Sequence, residues 1–135
     1  MANTLRLEIA TPEAMAYSED VEMVTLPGVE GQMGVLPQHV RLITQMVPGE
    51  LIVRKGGHDD FMAVGEGLVE VTNDRVSIVT NMAVAFDKID EAAAEEARQR
   101  AAARLREKIS SEEVASVNAS LARSLAQLHV KRRHH

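Results

Sequence analysis

The 135-residue chain reads as an antiparallel β-sandwich or barrel followed by a C-terminal α-helical hairpin, and three observations predict this. All 8 glycines and all 4 prolines lie at or before Gly67, and both phenylalanines, the tyrosine and every methionine lie at or before Phe86. Residues 1–87 carry 13 acidic and 5 basic side chains, whereas residues 88–135 carry 7 and 10. Apolar residues alternate with period two in the first piece and recur every three or four positions in the second. The expected division is a β-domain over 1–87 and a helical domain over 88–135.

The length allows one ordinary domain, or a small domain with an appendage. Zero cysteines exclude disulfides and thiolate metal sites. No run of eighteen apolar residues is present, so no bilayer-spanning helix is expected. The opening Met1-Ala2-Asn3-Thr4-Leu5-Arg6 lacks the charged and apolar regions of a secretory leader, and a cytosolic address is the expectation. The first half is acidic and nearly free of rings. A nucleic-acid platform needs stacking aromatics on a basic face, so nucleic acid is not expected as a partner.

Taken in order, Leu5-Arg6-Leu7-Glu8-Ile9 alternates as a half-buried strand with Leu5, Leu7 and Ile9 inward. Thr11-Pro12-Glu13 breaks it, and Val21 to Leu26 forms the next strand. The stretch Leu26 to His39 holds three glycines and two prolines, which is turn chemistry. Pro27-Gly28 predicts a type II turn in which Gly28 accepts positive φ. Gly31 and Gly34 allow a second sharp turn. The loop is shaped to carry Glu30 and Gln32 outward at its tip and to return His39 toward the body. Arg41 to Val47 and Leu51 to Arg54 are short strands around Pro48-Gly49. Lys55 to Asp60 is a polar hairpin loop, from which Phe61 to Val64 returns. Leu68 to Thr72 and Arg75 to Val79 flank Asn73-Asp74, a two-residue hairpin signal. Met82 to Ala85 closes the series.

From Ile89 the period becomes helical. Ala94, Ala97, Ala101, Leu105 and Ile109 mark one face of a first helix, with Glu96, Arg100, Arg104 and Lys108 as an i, i+4 ridge beside it. Ser110-Ser111-Glu112-Glu113 is a capping-box pattern that starts a second helix. Val114, Val117, Leu121, Leu125 and Leu128 are its apolar stripe, and Lys131, Arg132 and Arg133 suit a helix C-terminus. The first helix's seam is mostly alanine, whose methyl contributes little beside the ~1.5–3 kcal/mol of a buried leucine. Leu105, Ile109 and the second helix's leucines are therefore expected to hold the hairpin together.

Several motifs now converge. Leu26-Pro27-Gly28-x-x-Gly31-x-x-Gly34-Val35-Leu36-Pro37-x-His39, Gly57-His58-Asp59-Asp60-Phe61 with Gly65-Glu66-Gly67-Leu68-Val69-Glu70-Val71, and Ile89-Asp90-Glu91-Ala92 together resemble the epsilon subunit of F-type ATP synthases over essentially the whole chain. The resemblance implies a β-sandwich of about ten short antiparallel strands on two C-terminal helices. It implies a non-catalytic part of the rotor's central stalk, peripheral on the cytoplasmic face of a bacterial membrane and not inserted in the bilayer. The partners it implies are the gamma subunit, the c-ring and, when the helices extend, the catalytic alpha and beta subunits. By family position Glu30, Gly31 and Gln32 would face the c-ring, and His39 and Arg41 would lie toward gamma. Arg98, Arg100, Arg104 and Arg106 would meet an acidic segment of the beta subunit and restrain ATP hydrolysis.

The chain departs from the pattern in three places. Arg41 stands where the family usually has proline, and Glu66 replaces the first of a glycine pair. Some relatives bind ATP between the helices. Here Ile89, Asp90, Ala94, Arg100 and Arg123 match that set, while Ala93 and Gln127 stand where arginines are expected. Losing two cations from a phosphate cluster weakens it substantially, so ATP sensing is expected to be feeble or absent and no cofactor is assigned.

Without the family, the same residues have plainer readings. His39 is a packed or surface loop histidine, and His58 beside Asp59 and Asp60 lacks further metal ligands. His129, His134 and His135 read as tail residues. The methionines fill the sandwich, and the helix arginines are a solvated face. No nucleophile–base pair or phosphate loop rises above chance. A second functional reading is a free-standing β-sandwich that binds a small ligand and dimerises through its helices.

Overall fold

Alternation along β1 (Leu5–Ala10) is strict in the computed structural model, which describes residues 3–134. Leu5, Leu7 and Ile9 are buried between two layers of sheet, as their period-two spacing requires. The strands that follow are β2 (Met15–Val21), β3 (Met23–Gly28), β4 (Gly31–Val35), β5 (Leu42–Met46), β6 (Gly49–Lys55), β7 (His58–Val64), β8 (Gly67–Val71), β9 (Arg75–Thr80) and β10 (Ala83–Ala85). A 3-10 turn over Phe86–Lys88 leads to α1 (Glu91–Leu105) and α2 (Ser111–Arg133).

Hydrogen-bonded neighbours run β10-β7-β6-β3-β5-β8-β9-β1-β2, with β4 also on β3. Strand β3 is where the sheet folds over. Its first half, Met23 to Thr25, pairs with β6, and Gly28 alone pairs with Met46 of β5. One layer is thus β4-β3-β6-β7-β10 and the other β5-β8-β9-β1-β2. Between them Leu7, Ile9, Leu26, Leu51, Val53, Val69 and Ile78 make an aliphatic core. The sandwich is antiparallel except for β1 and β9, which run parallel.

Two strands lie where the sequence predicts none. Strand β2 carries Tyr17-Ser18-Glu19-Asp20 on the open edge of β1 and buries only Val21, so it lacks an apolar alternation to read. Strand β4 occupies part of the stretch assigned to turns. The type II turn at Pro27-Gly28 does not form. Gly28 stays in β3 opposite Gly31, Val29 and Glu30 make the corner, and Gly31 takes the positive φ, 121°. Backbone closeness explains Gly28 better than φ does, since a Cβ there would sit 2.9 Å from the Gly31 carbonyl. The Lys55–Asp60 loop contracts to a two-residue turn at Gly56 and Gly57, whose φ of 62° and 80° suit the primed hairpin turn. The Asn73-Asp74 hairpin forms between β8 and β9.

Asp90 caps α1 by accepting from the Ala93 N–H at 3.0 Å, and Ser110 caps α2 by accepting from the Glu113 N–H at 3.2 Å. Half of the expected capping box is present, because the Glu113 carboxylate turns to Arg104 instead, 2.5 Å away. Helix α1 ends at Leu105, so Ile109 lies in the connection and contributes no helical face. Ala94 and Ala101 are buried as expected. The predicted stripe of α2 is only partly right: Leu128 is buried, but Leu125 is 47% exposed, while Ser124, Ala126 and Val130 are buried. The reason is that α2 meets two surfaces, α1 and the β6-β7 sheet, and a single-stripe reading sees one.

Arg132 clasps the open end of the hairpin, with Nε 2.8 Å from Glu91 and Nη2 3.2 Å from Glu95. Hydrogen bonds from Arg98, Gln99 and Arg132 hold the Glu95 carboxyl down at about 2, against 4.5 ordinarily. A depressed carboxylate stabilises the fold fully above its unfolded value and ceases to do so as pH falls through the folded one. A carboxyl titration followed by NMR should place Glu95 near 2, with its bonds to Arg98 and Gln99, and the smaller one to Arg132, lost as pH falls through that value. A midpoint at the ordinary value means the Arg98 bond is not formed in solution.

Candidate functional site

Three surfaces stand out, and the sequence-predicted interface and inhibitory residues fall on the first two. The first is the end of the sandwich at the β3–β4 hairpin, where Glu30, Gly31 and Gln32 are all exposed. The corner is fixed to its neighbour by the Val29 N–H, which donates to the Gln45 carbonyl at 3.0 Å. The β4–β5 connection carries His39 and Arg41. It is pinned by the Gln38 N–H donating to Asn73 O at 2.8 Å, with Gln38 at φ 65°. His39 Nδ1 lies 2.8 Å from the Val40 carbonyl, and Arg41 is exposed beside it.

Around these residues several apolar side chains are exposed. Leu36, Val40 and Ile43 are 56%, 78% and 67% exposed. Cross-strand register continues this across the outer face of the second layer: Gln45, Leu68, Val79, Ala10 and Met15 stand in one row over five strands. Leu68, Val79 and Met15 in that row are each more than half exposed. Exposed apolar side chains gathered in this way are a candidate contact surface.

The second surface is the outside of α1. Arg98 is engaged with Glu95 at 2.5 Å, and Arg104 with Glu107 at 3.1 Å and Glu113 at 2.5 Å. The glutamates raise the pKa of both guanidiniums further, Arg98 through Glu95 and Arg104 first through Glu113. Arg100 reaches toward Glu96 only at 4.0 Å, with its side chain 72% exposed, and Arg106 is exposed at the helix end. The four cations therefore divide into two held and two open.

The nucleotide-like set does not come together. Ile89 is buried against Ala63 and Val130, Asp90 is used as a cap, and Ala94 is buried. Arg100 lies six positions beyond Ala94 on the helix, well round its circumference at ~100° per residue. Arg123 donates to Ser120 Oγ at 3.2 Å, and Gln127 to Met82 Sδ at 3.2 Å. The cleft between the helices is lined by Arg98, Leu125, Leu128, His129, Arg132 and Arg133, none of the five. Among the described residues no group of three His, Asp or Glu side chains is placed to hold a metal, and no helix is long and apolar enough to cross a membrane.

The third surface is where α2 meets the sandwich, and sequence reasoning missed it. Glu50 of β6 is 7% exposed, the one buried charged residue among those described. Arg133 Nη1 donates to its Oε1 at 3.2 Å, and His134 Nε2 makes a short contact with Oε2. The His134 ring stacks on Phe61 with centroids 3.6 Å apart. Lys131 Nζ donates to the Phe86 carbonyl at 3.1 Å and lies over that ring. His134 is thus a contact residue rather than a tail residue, whereas His135 lies outside the described residues. Partners more than 80 positions apart leave no local sequence signal.

Comparison with known proteins places these surfaces in a family. Residues 4–86 match the description "ATP synthase, Delta/Epsilon chain, beta-sandwich domain", and residues 87–132 match "ATP synthase, Delta/Epsilon chain, long alpha-helix domain". An ATP synthase epsilon chain of Herpetosiphon aurantiacus is 40% identical over 126 residues, 93% of each chain. Epsilon chain 2 of Syntrophotalea carbinolica is 42% identical over 131 residues, covering 96% of this chain and 95% of that one. Among solved structures, a chain of the Euglena gracilis mitochondrial ATP synthase (OSCP/F1/c-ring) superposes with a TM-score of 0.77 at 25% identity, over 96% of this chain and 81% of that one. Two matched domains and near-full-length relatives leave one assignment: the chain belongs to the ATP synthase epsilon chain family, non-catalytic subunits of that enzyme.

Proposed function

We propose that this chain sits in the central stalk, couples the gamma rotor to the c-ring during ion-gradient-driven ATP synthesis, and restrains ATP hydrolysis through its helices. The observation that carries the reading is the asymmetry of the sandwich. Its β6-β7-β10 face is covered by α2, while the β5-β8-β9-β1-β2 face keeps Leu68, Val79 and Met15 uncovered. An apolar face left open in this way suits a permanent partner more than bulk water. On this reading residues 1–87 contact gamma and the c-ring, with His39 and Arg41 on gamma and the Glu30-Gly31-Gln32 corner on the c-ring loops. The subunit is peripheral on the cytoplasmic face of a bacterial membrane, as a part of the whole complex.

Residues 88–135 are the regulatory piece. Extension along gamma toward the alpha and beta subunits frees Arg98, Arg100, Arg104 and Arg106 to meet an acidic segment of beta. Arg98 and Arg104 exchange internal glutamates for external ones, and Arg100 and Arg106 add cations that now face water. Moving the helices from 1:99 to 99:1 requires about 5.5 kcal/mol of preference for one state. Exposed pairs of ~0.2–1 kcal/mol each cannot supply it, whereas pairs desolvated at an interface approach it. ATP sensing is expected to be feeble or absent in this switch, because Ala93 and Gln127 stand where the phosphate cluster would need arginines. Arg100→Ala with Arg104→Ala should raise ATP hydrolysis by the assembled enzyme while gamma still co-purifies with the chain. Unchanged hydrolysis removes the inhibitory role, and loss of gamma removes the stalk position.

A further inference from the structure

Helix α2, rather than α1, is the one that lies along β6 and β7. Among the described residues, its polar contacts with the β-rich piece all fall between Gln127 and His134. Beneath them Val130 is fully buried with Ala63 and Ile89. At the other end of the hairpin, Glu112 to Ser116 are exposed. The hairpin is therefore fastened at one end only, the end where the chain finishes its last helix.

We propose that the Glu50 carboxylate is the catch of this fastening, and that it makes release of the helices all-or-none. A carboxylate under cover is tolerated only while donors serve it. Arg133 and His134 are those donors, and the same short segment provides the cover. An intermediate with Val130 still seated and Glu50 unserved combines the loss of both hydrogen bonds with continued exclusion of water, so it is strongly disfavoured. Once Arg133 and His134 let go, Glu50 is left without donors beside Ala63, on which Val130 is still seated, so the rest of the segment is driven to follow. Phe61 sharpens the geometry by fixing the His134 ring in a stack, so the imidazole nitrogen arrives at Oε2 in one orientation. The ion pairs inside the hairpin, Arg132 with Glu91 and Glu95 and Arg104 with Glu113, travel with it as it lifts from the sandwich and break only when the two helices part to extend.

This deepens the regulatory reading above and rests on it for its role in the enzyme, but the catch itself is testable in the isolated full chain. Hydrogen exchange would be compared in the parent chain, in Glu50→Gln, in the double variant Arg133→Ala with His134→Ala, and in the triple variant. Glu50→Gln should speed exchange of the α2 amides by about tenfold or more while β8 and β9 stay within about twofold. The double variant should match it, and the triple should add little, because coupled partners do not sum. Exchange in α2 unchanged by Glu50→Gln overturns the proposal, as does equal acceleration in β8 and β9. In the assembled enzyme Glu50→Gln should lower hydrolysis by favouring extended helices. Faster α2 exchange with unaltered hydrolysis would leave the catch standing and remove the inhibitory reading instead.

Discussion

The outer face of β6, β7 and β10 has to be covered, and the rest of the architecture answers that requirement. Ala63, Phe61, Met82, Val84 and Phe86 make an apolar surface that no strand of the sandwich can reach. Ile89, just after the last 3-10 turn, and Val130, near the end of α2, complete it. The chain must therefore run away from the sandwich along α1 and come back along α2 before its last turns find their seat. The result is a hairpin in which α2 is the longer helix, 23 residues against 15. It also puts those contacts in the last turns of α2 and at its cap.

Within the hairpin the balance of forces is different. Helix α1 presents Ala94 and Ala101 to its partner, and methyl groups at ~0.8 kcal/mol per buried carbon give a shallow apolar seam. Polar clasps at both ends supplement it, Arg104 with Glu113 near the connection and Arg132 with Glu91 and Glu95 at the open end. The sandwich beneath has an aliphatic interior with Leu7, Ile9, Leu26, Leu51 and Ile78 fully or almost fully buried. A densely packed aliphatic body thus carries a pair of helices held to each other largely by alanine methyls and ion pairs.

Much of this was legible in the residues. The alternation of Leu5, Leu7 and Ile9 fixes a strand and its inward face, the change of period from Ile89 and the Ser110 capping pattern announce both helix starts, and Asn73-Asp74 marks a hairpin. Local chemistry suffices in each case. Strand β2 escaped because an edge strand need not alternate, and β4 because glycines bent into a corner resemble glycines in a ladder. The stripe of α2 was misplaced for a deeper reason: Leu125 follows the helical period yet faces water, since tertiary contacts with two surfaces select the face. The third surface was invisible, because nothing near Glu50 in the sequence hints at Arg133 and His134. The nucleotide-like residues were legible as a pattern, but a pattern on two helices fixes no distance.

The account's central claim is that the sandwich alone holds the stalk while the helices only regulate. Deleting residues 88–135 and measuring both assembly and ATP hydrolysis tests it most directly. The claim predicts that the shortened chain still assembles with gamma and the c-ring and that hydrolysis rises. A shortened chain that folds but no longer joins the complex, or one that joins it with hydrolysis unaltered, would contradict it.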